Sequence, residues 1–252
     1  MKVTIWNENV HEQREPEILT WYPGGIHETV ARFIKDMPGV ELVRTATLQM
    51  PDCGLPQDVL EDTDVLFWWG HMAHKDVPDE LVERVYERVI RGMGLVVMHS
   101  GHLSKVFKRV LGCTGSLRWV DNTYGRIHTV MPSHPIAKGI PEHWELGIEE
   151  TYGEPFGIPQ PDELIFIGWF DSGEVFRSGC AWYRGNGKIF YFQPGHETNQ
   201  SFNHPLVRKV LQNACQWVAP CNVVPKERSI WACPEISQTF ERKTFEEILK
   251  EY

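Results

Sequence analysis

The sequence lacks the features that would assign it to a membrane, secreted or nucleic-acid-binding class. No apolar run approaches the ~18 residues of a membrane-spanning helix. The first residues, MKVTIWNENVHE, lack the charged, apolar and small-residue order of a signal peptide. Basic residues form no long run, and the net charge is -9. We therefore expect neither a membrane nor a nucleic acid as partner, and a cytoplasmic location.

The cysteines are few and scattered. None of the six belongs to a CxxC pair. In a chain without a signal peptide, such cysteines are typically reduced and mostly buried thiols. What the sequence does have is 252 residues and many aromatic side chains, enough for one large domain with a sizeable core.

Apolar strands and amphipathic helices alternate through the first half of the chain. The predicted strands are 2–6, 40–48, 64–70 and 95–99, and the predicted helices are 24–39, 78–94 and 102–112, with a short helix or turn at 55–63. This order predicts a parallel sheet that is covered on both faces. Ligands of such sheets bind beyond the carboxyl ends of the strands.

The second half has a different pattern. Residues 116–141 are broken by glycine and proline, and residues 163–197 predict successive strands with a tight turn at 184–188. A last amphipathic helix is predicted at 205–219. We interpret 1–219 as one domain. Residues 220–252 are interpreted as a tail, with a short helical stretch from about Thr239, that packs on the domain or on a partner subunit of a homo-oligomer.

Histidines follow the predicted strands. The segments WNENVHE, WWGHMAH and HSGH come at three strand ends, which a parallel sheet brings to one edge. The stretch GLVVMHSGHLSKVF has the strand, turn and helix of a nucleophile elbow. Its tip is His99, where a nucleophile would be expected to be cysteine or serine.

Four segments together resemble the trehalose-utilisation (ThuA-like) family over most of residues 1–219. They are WWGHMAH, VVMHSGH, SHPIAKGIPEHWELGIEETYGEPF and AWYRGNGKIFYFQPGHE. The resemblance implies an α/β, flavodoxin-like three-layer sandwich of the class I glutamine amidotransferase type, with antiparallel strand additions. It also implies a role in sugar metabolism.

The amidotransferase relationship implies which residues form the site. Those enzymes carry a cysteine in the elbow, and a His followed by Glu after a later strand. Here His99 occupies the cysteine position, and His196 and Glu197 match the later pair. Without a thiolate there is no thioester route to ammonia, so we exclude glutaminase activity.

Two imidazoles at neighbouring strand ends suit a divalent metal such as zinc. The predicted metal ligands are His71, His99 and His196, with His74 or His102 as alternatives for the third position. Glu150 is a ligand or general base. The predicted catalytic residues are Glu150, His99 and His196, and the predicted substrate contacts are Trp69, His102, Tyr152 and Glu197.

The sequence thus favours a metal-dependent hydrolase, lyase or isomerase. Its substrate would be a disaccharide or keto-sugar derivative, with a sugar dehydrogenase acting in the same pathway. Two alternatives stay open. The protein could bind sugars or regulate without catalysis, or it could be a hydrolase that uses Ser100 with His196.

Overall fold

The computed structural model describes residues 1–220 and 243–250. Its strands are β1 (Lys2–Asn7), β2 (Leu42–Thr47), β3 (Val65–Trp69), β4 (Gly94–Met98), β5 (Arg118–Thr129), β6 (His143–Gly153), β7 (Glu163–Phe170), β8 (Val175–Arg184) and β9 (Gly187–Phe192). All belong to one sheet with the order β2-β1-β3-β4-β9-β8-β7-β5-β6.

Along the chain, the α-helices come between these strands and after them. They are α1 (His11–Arg14), α2 (Ile18–Trp21), α3 (Ile26–Lys35), α4 (Gln57–Glu61), α5 (Asp79–Arg91), α6 (Lys105–Leu111), α7 (Pro205–Val218) and α8 (Phe245–Leu249). A 3-10 turn at His99–Leu103 delays α6 to Lys105, and the Ser104 hydroxyl caps it by accepting from the Phe107 amide. The predicted helix start at 102 was therefore three residues early.

The parallel half of the sheet contains β2, β1, β3, β4 and β9, as the strand–helix alternation predicted. Every residue of β3 and β4 is buried, because helices cover both faces. Trp6 and Trp68 stack at 3.8 Å between ring centroids on adjacent strands. The apolar runs of β3 and β4 are thus core, and polar side chains follow in the loops beyond their carboxyl ends.

The antiparallel half contains β8, β7, β5 and β6. The predicted tight turn at 184–188 is confirmed, since it joins β8 to β9 with Arg184 opposite Gly187. The predictions missed β5 and β6. β5 pairs irregularly with β6, with register shifts at 120–123 and 125–126, and such shifts break the alternation by which a strand is recognised.

The chain divides into two units, Met1–Pro220 and Cys221–Tyr252. In the second unit the described residues form α8, with a capping box between Thr244 and Glu247. The predicted tail helix overlaps α8, but its start at Thr239 lies outside the described residues. In the described part of the chain, no helix is long and apolar enough to cross a membrane.

Candidate active site at the carboxyl edge of the sheet

The turn after β4 has the geometry of an elbow. His99 directly follows the strand and has φ of 47°, in the left-handed region that non-glycine residues seldom adopt. Such a conformation costs on the order of 1–3 kcal/mol and persists only where the surroundings hold it. The His99 ring is held on both sides, since Nδ1 lies 2.6 Å from the Gln193 carbonyl oxygen and Nε2 lies 2.9 Å from Glu150 Oε2.

These contacts decide the protonation of His99. A carbonyl and a carboxylate can only accept, so both ring nitrogens donate. Burial lowers the pKa of His99, but the hydrogen bond to Glu150 and the Glu150 charge outweigh burial, so the pKa is raised. A doubly protonated ring has no lone pair for a metal. The geometry therefore leaves His99 no free nitrogen for the predicted ligand role.

Glu150 is the centre of this network. Burial tends to raise its pKa, but the hydrogen bond and charge of His99 lower it to about 2. The Tyr152 hydroxyl also hydrogen-bonds Glu150 and lies 3.0 Å from His99 Nε2. Glu150 is consequently ionised at neutral pH. So low a pKa suits a metal ligand better than a general base.

Three side chains offer donor atoms that lie within 4.8 Å of one another: His71, Glu150 and His196. Burial is the main cause that lowers the pKa of His71 to about 3 and of His196 to about 4, so both are neutral at pH 7. His196 Nε2 lies 3.9 Å from Glu150 Oε1, and His196 Nδ1 lies 2.7 Å from the Thr198 hydroxyl. The structure thus places two of the three predicted ligands together, with Glu150 as the third.

A second group shares His71 and adds two side chains. Glu197 Oε1 lies 3.5 Å from His11 Nε2, from His71 Nδ1 and from His196 Nε2. Burial raises the pKa of Glu197 to about 7. Glu197 Oε2 and His11 Nδ1 are buried with no hydrogen-bond partner among the described residues. The sequence reasoning missed His11, although the segment WNENVHE had been placed at the correct edge.

Glu149 fixes the loop that carries His196. Neighbouring residues of a strand face opposite sides, so Glu149 points away from the Glu150 side. Its Oε1 accepts from the His196 amide at 2.8 Å, and its Oε2 accepts from the Ser201 hydroxyl. Burial raises the pKa of this carboxyl, despite these donors. Glu149 and Glu150 are adjacent in the segment GIEETYGEPF, and the sequence does not tell their roles apart.

A cavity of about 640 Å³ opens onto these groups. Its lining residues include His71, Ser100, His102, Leu103, Ser116, Leu117, Trp119, Asp121, Asn122, Glu150, Tyr152, His196, Thr198 and Asn199. The predicted substrate contacts His102 and Tyr152 are among them. Trp69 and Glu197 are not.

The prediction for Trp69 needs correction. Trp69 is fully buried, and its indole N–H donates to the Gly195 carbonyl at 3.0 Å, so it supports the His196 loop. It lies in a central strand that is covered on both faces, and a tryptophan there becomes core. The tryptophan on the cavity wall is Trp119, in β5, with 64% of its surface exposed.

The alternatives for the third ligand find no support in the donor clusters. Among the described residues, neither His74 nor His102 belongs to a group of donor atoms. His102 Nδ1 lies 2.6 Å from the Gly115 carbonyl, and burial lowers its pKa to about 3. Ser100 lines the cavity, but its hydroxyl has no hydrogen-bond partner in the described part of the chain, so no histidine there is bonded to it as a base.

Comparison with known proteins agrees with this fold. The sequence model of the ThuA family, described as trehalose utilisation, matches residues 2–218. No curated protein matches the chain. A solved ThuA-like protein from Bacteroides uniformis is 15% identical with a TM-score of 0.63, over 86% of this chain and 91% of its own.

Two further structures are similar. A ThuA-like protein from Parabacteroides merdae is 18% identical with a TM-score of 0.60, over 89% of this chain and 92% of its own. A cytoplasmic protein from Salmonella typhimurium is 14% identical with a TM-score of 0.58, over 88% of this chain and 100% of its own. At these identities the likeness concerns the fold, which is flavodoxin-like and of the glutamine amidotransferase type.

Proposed function

The chain belongs to the trehalose-utilisation family, and from this premise we propose that it is a metal-assisted enzyme acting on a neutral sugar. A disaccharide or its keto derivative is the proposed substrate, and a keto derivative implies a sugar dehydrogenase that supplies it. The observation that carries the proposal is the convergence of His71, Glu150 and His196 on the wall of one cavity.

The donor set fits a divalent cation. Two neutral imidazoles and one ionised carboxylate are ligands that zinc accepts, with positions left for water or substrate on the cavity side. The lowered pKa values of His71, His196 and Glu150 keep all three in their metal-binding forms at neutral pH. A bound cation supplies polarisation of a substrate oxygen, or a water of lowered pKa.

The protein's own groups orient these donors. His99 holds Glu150 through Oε2, while Oε1 lies toward His196. His196 Nδ1 accepts from the Thr198 amide at 3.4 Å and lies 2.7 Å from the Thr198 hydroxyl, and these contacts hold the ring with Nε2 on the Glu150 side. We assign His99 to positioning, because it touches Glu150 and Gln193 and does not line the cavity.

The rest of the lining favours a neutral, hydroxyl-rich ligand. Trp119 and Leu117 offer apolar surface on which the C–H face of a sugar ring can stack, and Asn122 and Asn199 offer amides to hydroxyl groups. Among the described lining residues there is no lysine or arginine. A phosphate or carboxylate group would therefore find no counter-charge in the protein there.

Metal analysis tests the proposal directly. We expect near-stoichiometric divalent metal in the native protein after supply with zinc or manganese, and its loss in His71→Ala and Glu150→Gln. His143→Ala is the matched control, because His143 is an exposed histidine outside the donor cluster. Sugar turnover should follow the metal through chelation and reconstitution.

The opposite result favours a different function. If the folded native protein takes up no metal, the three donors are not a cation site. The closed hydrogen-bond network of His99, Glu150 and Tyr152 then favours a sugar-binding protein without turnover.

A further inference from the structure

A second cavity, of about 230 Å³, lies between α2, α3 and the start of α7. Its wall is formed by Trp21, Thr29, Arg32, Phe33, Asn203 and Arg208, together with Pro23. None of these residues lines the cavity that holds the donor cluster. The volume is below the roughly 300–1,000 Å³ of sites for drug-sized ligands, which favours a small ligand.

Two positive charges face this cavity without a carboxylate partner. In the described part of the chain, neither Arg32 nor Arg208 has an acidic oxygen within 4.0 Å, and the wall contains no Asp or Glu. The Glu28 carboxylate, one turn before Arg32, accepts instead from the Thr45 hydroxyl at 2.8 Å. The chain has a net charge of -9, so a cavity wall with two arginines and no acidic residue is a local region of positive charge that attracts anions.

The guanidinium groups are held in place but not saturated. Arg208 donates from Nε to the Phe202 carbonyl at 2.8 Å and from Nη2 to Asn203 Oδ1 at 2.7 Å. Arg32 donates to the carbonyls of Glu28 and Pro23. These acceptors are neutral. Each guanidinium has five N–H donors, so each retains several for a ligand.

A hydroxyl on the same wall is unpartnered. Thr29 is 6% exposed, and its Oγ1 is buried with no hydrogen-bond partner among the described residues. Buried hydroxyls in native proteins nearly always bond to something, so a missing partner needs a physical cause. An anion between the two arginines would accept from Thr29.

We propose that this cavity binds a phosphate group, either as inorganic phosphate or as a phosphate monoester. Guanidinium forks match the oxygens of phosphate, and two forks beside a hydroxyl donor make a small oxyanion site. Trp21 and Phe33 supply apolar surface for the organic group of a phosphate monoester. The proposal goes beyond the sugar chemistry at the donor cluster and does not depend on it.

The cavity adjoins the segment that carries His196. Arg208 bonds to the backbone oxygen of Phe202, and Phe202 follows Ser201, which bonds to Glu149 beneath the His196 loop. Tyr22, next to Trp21, donates its hydroxyl to the Asn199 carbonyl, and Asn199 lines the first cavity. A phosphate held by Arg208 therefore stabilises the segment that carries His196.

Calorimetric titration of the full chain with inorganic phosphate tests the site. We expect one phosphate per chain with a millimolar or tighter Kd, weakened about tenfold or more in Arg32→Gln and in Arg208→Gln, since each removes a charge-assisted hydrogen bond. Arg91→Gln, on an exposed arginine of α5, removes the same charge elsewhere and should bind like the native protein. Arg32 is exposed, so its variant remains informative even if Arg208→Gln does not fold.

Two more titrations identify the cavity and the ligand. Glu150→Gln should bind phosphate normally, which distinguishes this cavity from the donor cluster and keeps the result separate from the proposed enzyme activity. Tighter binding of glucose 6-phosphate than of inorganic phosphate would identify a sugar phosphate as the ligand, whereas equal binding would identify free phosphate. Absence of saturable binding by the native protein at millimolar phosphate would overturn the proposal. So would binding by Arg32→Gln and Arg208→Gln that is as tight as that of the native protein.

Discussion

The parallel half of the sheet is covered on both faces, whereas the antiparallel half leaves part of one face exposed. In the parallel half, β3 and β4 are entirely buried. In the antiparallel half, Tyr124, Ile148 and Trp169 are 43%, 52% and 53% exposed. Parallel strands need helices on both faces, and antiparallel strands do not. Polar side chains of the parallel half therefore gather at strand ends, while the antiparallel half presents side chains along its strands.

The two halves contribute different chemistry to the site. His11, His71, His99 and His196 lie in segments that follow parallel strands, and they meet because those strands end at one edge. Glu149, Glu150 and Tyr152 lie within β6, at the far edge of the antiparallel half. The positions of the nitrogen donors are thus set by the ends of the parallel strands. The positions of the carboxylates are set by the placement of β6. Three experiments test this division, beginning with the largest expected effect.

Acid should destabilise the protein through the histidines of the parallel half. Burial lowers the folded-state pKa of His71 and His102 to about 3 and of His196 to about 4. The unfolded chain, with a histidine pKa near 6.5, binds more protons below that pH. The free energy of unfolding should fall as pH falls from about 6.5 to 4, by up to ~1.4 kcal/mol per pH unit for each histidine.

Two buried carboxyls, Glu149 and Glu197, oppose this trend, because burial raises the pKa of each. The raised pKa of Glu197, about 7, means that the folded protein takes up this proton before the unfolded chain does, which adds stability between pH 7 and 4.5. The three histidines outweigh these two carboxyls. Urea unfolding at pH 7, 6 and 5 measures the slope, and His102→Gln should reduce it. Stability that rises toward pH 5 would contradict the assignment of neutral buried histidines.

Glu149→Ala should lower the free energy of unfolding by about 3 kcal/mol, because it leaves the His196 amide and the Ser201 hydroxyl without an acceptor. Glu149→Gln keeps an acceptor and should lose less than half as much. Urea denaturation at pH 7 measures both. Glu145→Ala, on the exposed side of the same strand, is the control and should change little. Equal losses in Ala and Gln would mean that the side-chain oxygen is not what holds the loop.

His99→Asn should weaken metal binding about tenfold with a smaller effect on stability. Asparagine tolerates the positive φ at this position but cannot bridge Gln193 and Glu150 as the imidazolium does. Loss of a group that orients a ligand typically costs 10–100-fold in metal affinity. Competition with a chelator measures the change, and His143→Asn is the matched control. Native-like affinity in His99→Asn would remove His99 from the positioning role.

The predictability of the fold differed from strand to strand. Periodicity identified β1, β3, β4 and α5, because buried strands and amphipathic helices repeat with clear periods. It also identified the strands within 163–197, but it failed for β5, where register shifts interrupt the alternation, so it did not single out Trp119 among the tryptophans as the one on the cavity wall. Trp69 was assigned to the substrate because residue type alone does not distinguish a core tryptophan from an exposed one.

The meeting of histidines at one edge follows from the amino-acid sequence, since strand–helix alternation implies parallel strands and parallel strands end together. Tertiary structure alone decided which of them keeps a free lone pair. His99 loses it to a carbonyl at position 193 and a carboxylate at position 150, both distant in the chain. Hydrogen-bond partners set the protonation of an imidazole, and those partners exist only once β4, β6 and the loop after β9 are packed together.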